Sequence, residues 1–432
     1  MHNKFQGNLI ALAVASTLGG ASTLASAAGF ALIEQSASGM GNAFAGAAAT
    51  AEDASTVFYN PAGMSQLKQP QVVVSGHAIS LSAKFSGSAT NPGALGGGAA
   101  TGGNGGDAGG VSFVPNAYFV MPIGEKFNFG VGVNAPFGLK TEYDENWVGR
   151  FQGIKSDLKT INVNPSLSYK LSDSFAVGIG LNYQKLDAEL TNAVVLGPGA
   201  EGRAKLKADD DGWGWNAGVL FNLTPATKIG ASYRSQIKYN LTGTTTVTTA
   251  TGAIVSPAGG PTNADITLPD MFSLSVSHQL NEDWEILGDI TYTKWSKIKT
   301  VNVVNTTTGA NRDVLALNFD DSYRVSIGAN YKYSESLTLK GGIAYDQSPV
   351  QDQSRTVRLP DNDRTWLAVG AKYKVTKNAA IDAGYAHLFI SKAPINNTRG
   401  QLGLPAGLGS TTVTGSYEGS VDILSVQYTQ SF

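Results

Sequence analysis

The chain has no cysteine, which removes disulfide frameworks, thiolate chemistry and cysteine-type zinc sites together. Charge is scarce as well: 15% of the 432 residues are charged, against about 25% in an ordinary soluble domain. The charges nearly cancel, 31 basic against 33 acidic, so attraction to nucleic acid by bulk charge is not expected. Long apolar runs are missing beyond the first thirty or so residues, which excludes a bundle of transmembrane helices. What is abundant is glycine, 52 residues or about 12%, where roughly 7% is usual. Mean hydropathy is close to zero, at −0.07.

Residues 1–27 read as an export signal: Lys4 leads, an apolar core follows, and small residues end at Ala25, Ser26 and Ala27. The core is too short for a membrane anchor. An exported chain without cysteine or membrane helices is periplasmic, secreted or an outer-membrane barrel.

A repeat decides among these. Short turn-forming stretches at 122–127, 171–175, 223–227, 280–284, 333–337 and 375–379 each join the end of one apolar strand to the start of the next. They are much farther apart than the 8 to 12 residues or so between turns of a compact sandwich. Two strands and one long loop fit each interval. Flanking segments alternate with period two: Val177, Ile179, Leu181 and Tyr183 are separated by Gly178, Gly180 and Asn182, and Val325 to Tyr331 repeats the pattern. Apolar outward with small or polar inward is the arrangement a barrel needs in lipid, where every backbone group must pair between strands.

Longer polar or glycine-rich stretches lie between, at 86–110, 140–155, 193–209, 244–265, 302–312, 349–361 and 393–414. Seven long loops and six short turns predict an all-β fold, a fourteen-stranded antiparallel transmembrane β-barrel over residues 70–432, ending on Phe432. Residues 28–69 have no period-two run and are dense in glycine and alanine. They are expected to fold inside as a small N-terminal hatch, with Asn60 capping a helix whose first residue is Pro61, followed by Ala62. Gly39-Met40-Gly41 lacks the preceding strand and third glycine of a dinucleotide fingerprint.

These blocks resemble the FadL family of long-chain fatty-acid transporters. The resemblance rests on residues 28–30 (AGF), 36–39 (SASG), 60–62 (NPA), 146–150 (NWVGR), 268–271 (LPDM), 292–296 (YTKWS), 321–324 (DSYR), 342–349 (GIAYDQSP) and 359–364 (LPDNDR), in family order along the mature chain. The family also includes transporters of aromatic hydrocarbons. The resemblance implies passive uptake of hydrophobic molecules across the outer membrane of a Gram-negative cell. Ligand is caught between outer loops, passes to a pocket near the mature N-terminus, and leaves sideways at a kink in the third strand.

Each station has a candidate. Phe30 matches the family's aromatic residue against the ligand. The third strand by this count, 127–138, holds Gly132, Asn134, Pro136 and Gly138; proline cannot donate to a ladder, so the kink and lateral opening are expected there. Val194, Val195, Leu196, Ile254 and Val255 are apolar residues in otherwise polar loops, and such exposed patches bind partners. The positions where fatty-acid members carry basic wall residues hold Asn192 and Leu315, with Leu317 near them; Arg312, Arg203 or Lys205 are candidates to substitute. That departure leaves neutral aromatic or aliphatic hydrocarbons as the alternative cargo to fatty acids. A general diffusion porin would have a charged lumen and no hatch.

Catalysis is not expected: three histidines, His77, His278 and His387, lie far apart in the mature chain and no G-x-S-x-G occurs. Asp209 to Asp211, and Asp361 with Asp363, are candidate calcium ligands or, more simply, solvated charges. The reading is of no cofactor and no metal, of a monomer, and of outer-membrane lipid and lipopolysaccharide as surroundings.

Overall fold

A computed structural model describes residues 29–255, 259–401, 404–405 and 408–432, so the predicted export signal lies outside the described residues. Twenty strand pieces form one sheet, and six strands consist of two pieces each, which makes fourteen. In chain order they are β1 (Gln71–Ala89), β2 (Gly110–Ile123), β3 (Phe127–Asn134 and Gly138–Glu142), β4 (Lys155–Lys170), β5 (Phe175–Gly197), β6 (Ala200–Thr224) and β7 (Thr227–Arg234 and Ile237–Thr249). The second half comprises β8 (Gly260–Leu268 and Met271–Gln279), β9 (Trp284–Thr293 and Thr300–Asn305), β10 (Asn311–Ala316 and Ser322–Lys332), β11 (Leu337–Asp346), β12 (Arg364–Lys374), β13 (Ala379–Ile390 and Ala393–Gly400) and β14 (Ser410–Ser431). All neighbours are antiparallel. β1 and β14 close the ring from Gln71↔Ser431 to Ala89↔Val413, which leaves no edge to lipid.

The two faces divide as the alternation predicts. Ile179, Ile327 and Leu424 are more than half exposed on the outside, whereas Asn182, Ser326 and Ser425 are buried within. Aromatic pairs such as Tyr183 with Trp213 and Phe127 with Tyr169, whose ring centroids are 5.1 and 4.7 Å apart, stand at the two rims of the apolar band.

Several stretches expected as loops are strand. Residues 193–197 and 200–209 continue β5 and β6 up to a tight turn, and 244–249, 302–305 and 393–400 extend their strands likewise. Above the bilayer both faces of a strand meet water, so the period-two apolar signal fades while the ladder continues.

The N-terminal segment forms α1 (Ala37–Met40), α2 (Ala47–Thr50), α3 (Thr56–Tyr59) and a 3-10 turn, Pro61–Gln66. It touches strands around the whole ring: α1 meets β12, β13 and β14, α2 meets β7 and β8, and the 3-10 turn meets β3 to β6. Asn60 accepts from the Ala62 amide as the cap, and its Nδ2 donates to the carbonyls of Ala48 (2.6 Å) and Val219 (2.9 Å), tying helix to wall. A Cβ on Gly178 or Gly230 would overlap the backbone at Ala62 or Ala48. Those two glycines let the backbones meet. Lys340 Nζ, buried on β11, reaches the carboxylates of Glu52 (2.8 Å) and Asp382 (3.4 Å) and the Ser38 carbonyl (2.8 Å).

Candidate functional site

β3 breaks at Ala135, Pro136 and Phe137. Below the break it pairs with β2, from Ala117↔Val133 to Ile123↔Phe127. Above it, the piece from Gly138↔Lys159 to Glu142↔Lys155 pairs with β4, and among the described residues no ladder joins it to residues 110–116 of β2. Proline has no N–H to give and carries its neighbours off the ladder, so the wall is unlaced here.

Residues 30–35 span the break from inside. Leu32 N donates to the Pro136 carbonyl and Gly138 N to the Phe30 carbonyl, each at 2.8 Å. The Gln35 amide reaches the Ala135 carbonyl (3.0 Å), while Asn116 and Tyr118 of β2 donate to the carbonyls of Glu34 (3.1 Å) and Gln35 (2.9 Å). The segment is thus bonded to both banks of the gap.

Above it lies a packed apolar cluster, the chamber through which a tail would have to pass. Phe30 is buried edge-on to Trp295, with ring centroids 4.9 Å apart, and Phe137 is 6.0 Å from Phe30. Trp295 is delivered by a 3-10 turn, Trp295–Lys297, that interrupts β9. Leu139, Leu186, Leu241, Val303 and Leu315 continue the lining upward, with Leu190, Leu206 and Leu317 packed against it.

Leu190, Leu206 and Val303 also floor a narrow cleft of about 80 Å³ that opens to solvent. Its upper walls are polar: Arg312 from β10, Arg399 from β13, Asp313 and Asn192. Arg399 is ion-paired with Asp313. Beside them Arg358, 4% exposed, donates to the Lys155 carbonyl (3.0 Å), Ser156 Oγ (3.1 Å) and Asn192 Oδ1 (3.2 Å). Its Nε has no hydrogen-bond partner, and among the described residues no carboxylate forms an ion pair with it. Burial, then the Arg399 cation, push its guanidinium down to about 9. Asp313 acts on it only at a distance and is itself ion-paired with Arg399, so an incoming anion would relieve the buried cation.

The predicted residues are only partly brought together. Phe30, Leu315 and Leu317 share the chamber, and Arg312 and Asn192 line the cleft above it. Arg203 instead pairs with Glu201 in the outer loops, and Lys205 points outward to Glu189 at 3.1 Å. The expected capture patch does not form as one surface. Val194 lines the cleft, but Val195 is 5% exposed and packs with Phe151 and Ala193 because its strand continues there; Leu196 is half-buried. Ile254 is exposed and Val255 half-buried, and neither lines the cleft. Asp209 to Asp211 lie within β6, where successive side chains face opposite sides, so they do not converge on an ion. Asp361 is held by Arg364 and accepts from Ser348 Oγ at 2.6 Å.

Arg358 and Arg399 were missed by the sequence reading. Arg358 comes from an irregular stretch whose side-chain direction no period predicts, and Arg399 from the part of β13 that reads as a loop in the sequence; the one available signal is that Arg358 immediately precedes the LPDNDR block.

Glu34, 1% exposed, has an unpartnered carboxyl oxygen. Burial pushes its pKa from 4.5 up to about 7, against the pull of its backbone hydrogen bond and the cations of Arg364 and Arg324. The folded state therefore prefers the neutral acid, and the stability tied to that preference is lost as pH rises from 4.5 through 7. Glu34→Gln should melt with the wild type at pH 4 or so and increasingly above it toward pH 8, as followed by heat-dependent gel mobility. A pH-independent difference would refute this.

The family model described as "Outer membrane protein transport protein (OMPP1/FadL/TodX)" matches residues 19–432. The chain is 35% identical over 424 residues to "Outer membrane protein P1" of Haemophilus influenzae, covering 89% of this chain and 90% of that one. It is 31% identical over 425 residues to the "Long-chain fatty acid transport protein" of Escherichia coli O6:H1, covering 90% and 93%. The crystal structure of a Pseudomonas aeruginosa FadL homologue superposes with a TM-score of 0.86 at 24% identity, over 94% of this chain and all of that one.

Proposed function

The chain belongs to the outer membrane protein transport family (OMPP1/FadL/TodX), and from that premise we propose that it carries long-chain fatty acids or related hydrophobic anions passively into the outer membrane. Residues 1–27 serve as the export signal, 28–69 as a hatch and 70–432 as the barrel. Ligand enters the arginine-rimmed cleft, its tail descends among Leu190, Leu206, Leu241 and Leu315 to Phe30, and it leaves through the break at Pro136 once residues 30–35 move aside. An apolar tail gains about 0.8 kcal/mol per buried methylene on this path, and it reaches lipid without meeting bulk water.

The observation that carries the reading is an arginine-rimmed cleft, with the buried Arg358 beside it, over an apolar cluster that ends at an unlaced wall. Arg358 favours a carboxylate over a neutral hydrocarbon. Among the described residues the 3-10 turn and helices of the N-terminal segment fill the lumen, which speaks against a hydrated diffusion pore.

Uptake of labelled oleate, toluene and a small sugar by cells with and without this chain tests the reading. Loss of oleate uptake on deletion is expected, with sugar uptake unchanged. Loss of sugar uptake alone would make the chain a porin.

A further inference from the structure

A second cavity lies below the chamber, beside the break. It has a volume of about 50 Å³, room for a small polar group, between Leu32, Phe58 and Tyr59 of the N-terminal segment, Pro136 of β3, and Asn216 and Arg234 of the wall. The Arg234 guanidinium lies 4.3 Å from the Phe58 ring centroid, donates to the Phe58 carbonyl at 2.9 Å and bonds Asn182 Oδ1. Among the described residues no carboxylate forms an ion pair with it. The one acid on the cavity wall, Asp289, already accepts from the hydroxyls of Ser275 and Thr291.

Behind Arg234 stands a belt of buried carboxamides. Asn162 donates to Asn134 (3.1 Å) and Asn182 (3.2 Å), and Asn164 and Asn182 both donate to Asn216 Oδ1, at 2.9 and 3.0 Å. Asn216 is 2% exposed, yet its Nδ2 has no partner, and Asn162 and Asn164 each keep an unpartnered Oδ1. Unsatisfied buried amides are costly and uncommon, and one of them, Asn216, lines the cavity together with the Arg234 cation. The belt is separate from the upper arginines. Along β5 the inward residues run from Asn182 and Gln184 through Leu186, Ala188 and Leu190 to Asn192, so the two polar levels are about 33 Å apart at 3.3 Å per residue.

We propose that this lower cavity is a second binding station, where Arg234 and the Asn216 amide receive the carboxylate of the cargo beside the break in β3. The inference rests on the transport reading above and adds the way the charged head crosses the apolar level. A carboxylate dragged to the gap through Leu186 and Leu190 would be stripped of water with nothing in exchange. At Arg234 it meets a guanidinium and an amide N–H placed to receive it, while the tail points out through the gap. A hydrocarbon has no use for this station.

The test is uptake by whole cells carrying the full chain, with labelled oleate and its methyl ester, which share a tail and differ in charge. Arg234→Gln should slow oleate about ten-fold, the effect of one charge-assisted hydrogen bond, and leave the ester unchanged; Arg234→Lys should restore most of the oleate rate. Asn216→Ala is the second variant, with a smaller effect of the same selectivity, should Arg234→Gln fail to assemble. Equal slowing of both cargoes would reduce Arg234 to a clamp on Phe58 and overturn the proposal, as would an unslowed oleate rate. A wild-type chain that carries the ester but not oleate would overturn the station while sparing hydrophobic transport; one that carries neither would overturn the transport reading itself.

Discussion

Oxidising a cysteine pair placed at Ala31 and Phe137 should stop oleate uptake, and a reductant should restore it. Ala31 and Phe137 face each other as an antiparallel bridge, flanked by the hydrogen bonds from Leu32 to Pro136 and from Gly138 to Phe30. That makes them a non-hydrogen-bonded pair, whose Cα atoms approach to about 4.5 Å, within the range a disulfide spans. The native chain has no cysteine to compete. While the S–S bond is intact the segment cannot separate from the break, so uptake by the oxidised chain should fall to background. Because Phe137→Cys also removes a ring from the chamber, the reduced double variant is the reference, and only the redox-dependent part of the change counts. Uptake that is the same oxidised and reduced would mean that residues 30–35 do not move during transport.

The second large effect is expected at Arg358. Arg358→Met should weaken oleate binding by about 10- to 100-fold, the range for a lost hydrogen bond to a charged group, while binding of the methyl ester stays within about two-fold of wild type. Thermal stability should fall modestly, because methionine leaves the Lys155 carbonyl, Ser156 Oγ and Asn192 Oδ1 without their donor. The selectivity between the two ligands separates a ligand-binding arginine from a structural one. An Arg358 that only braces the wall would weaken both ligands alike. Titration calorimetry of the purified barrel with the two ligands, beside its heat-dependent gel mobility, reads all of these outcomes.

Much of the fold was legible because lipid imposes a simple rule. A strand between hydrocarbon and a filled lumen must alternate, and Val177 to Tyr183 or Val325 to Tyr331 do so without exception. The rule stops at the membrane surface, which is why 193–209 and 393–400 read as loops although the ladder runs through them. The same limit scattered the expected capture patch: Val195 looked like an apolar residue in a polar loop, but the continued strand turns it onto Phe151. At the site, the break at Pro136 follows from the missing N–H of proline and Phe30 is singled out only by the family resemblance, whereas Arg358 sits in an irregular stretch without a period and Arg399 in a strand that reads as a loop.

By itself the sequence determined the strand count, the two faces of the wall, the small-residue segment ahead of the barrel and the weak point at Pro136, because each follows from local rules about pleat, hydrophobicity and a missing N–H. Only the tertiary structure decided where the charged heads can rest. Arg399 and Arg312 come from separate parts of the chain to one cleft, with Arg358 beside Asn192 of its wall, and Arg234 meets a belt of amides on the neighbouring strands. Such groups are set by barrel closure and by the segment folded inside it, which join residues hundreds of positions apart and leave no local pattern to read.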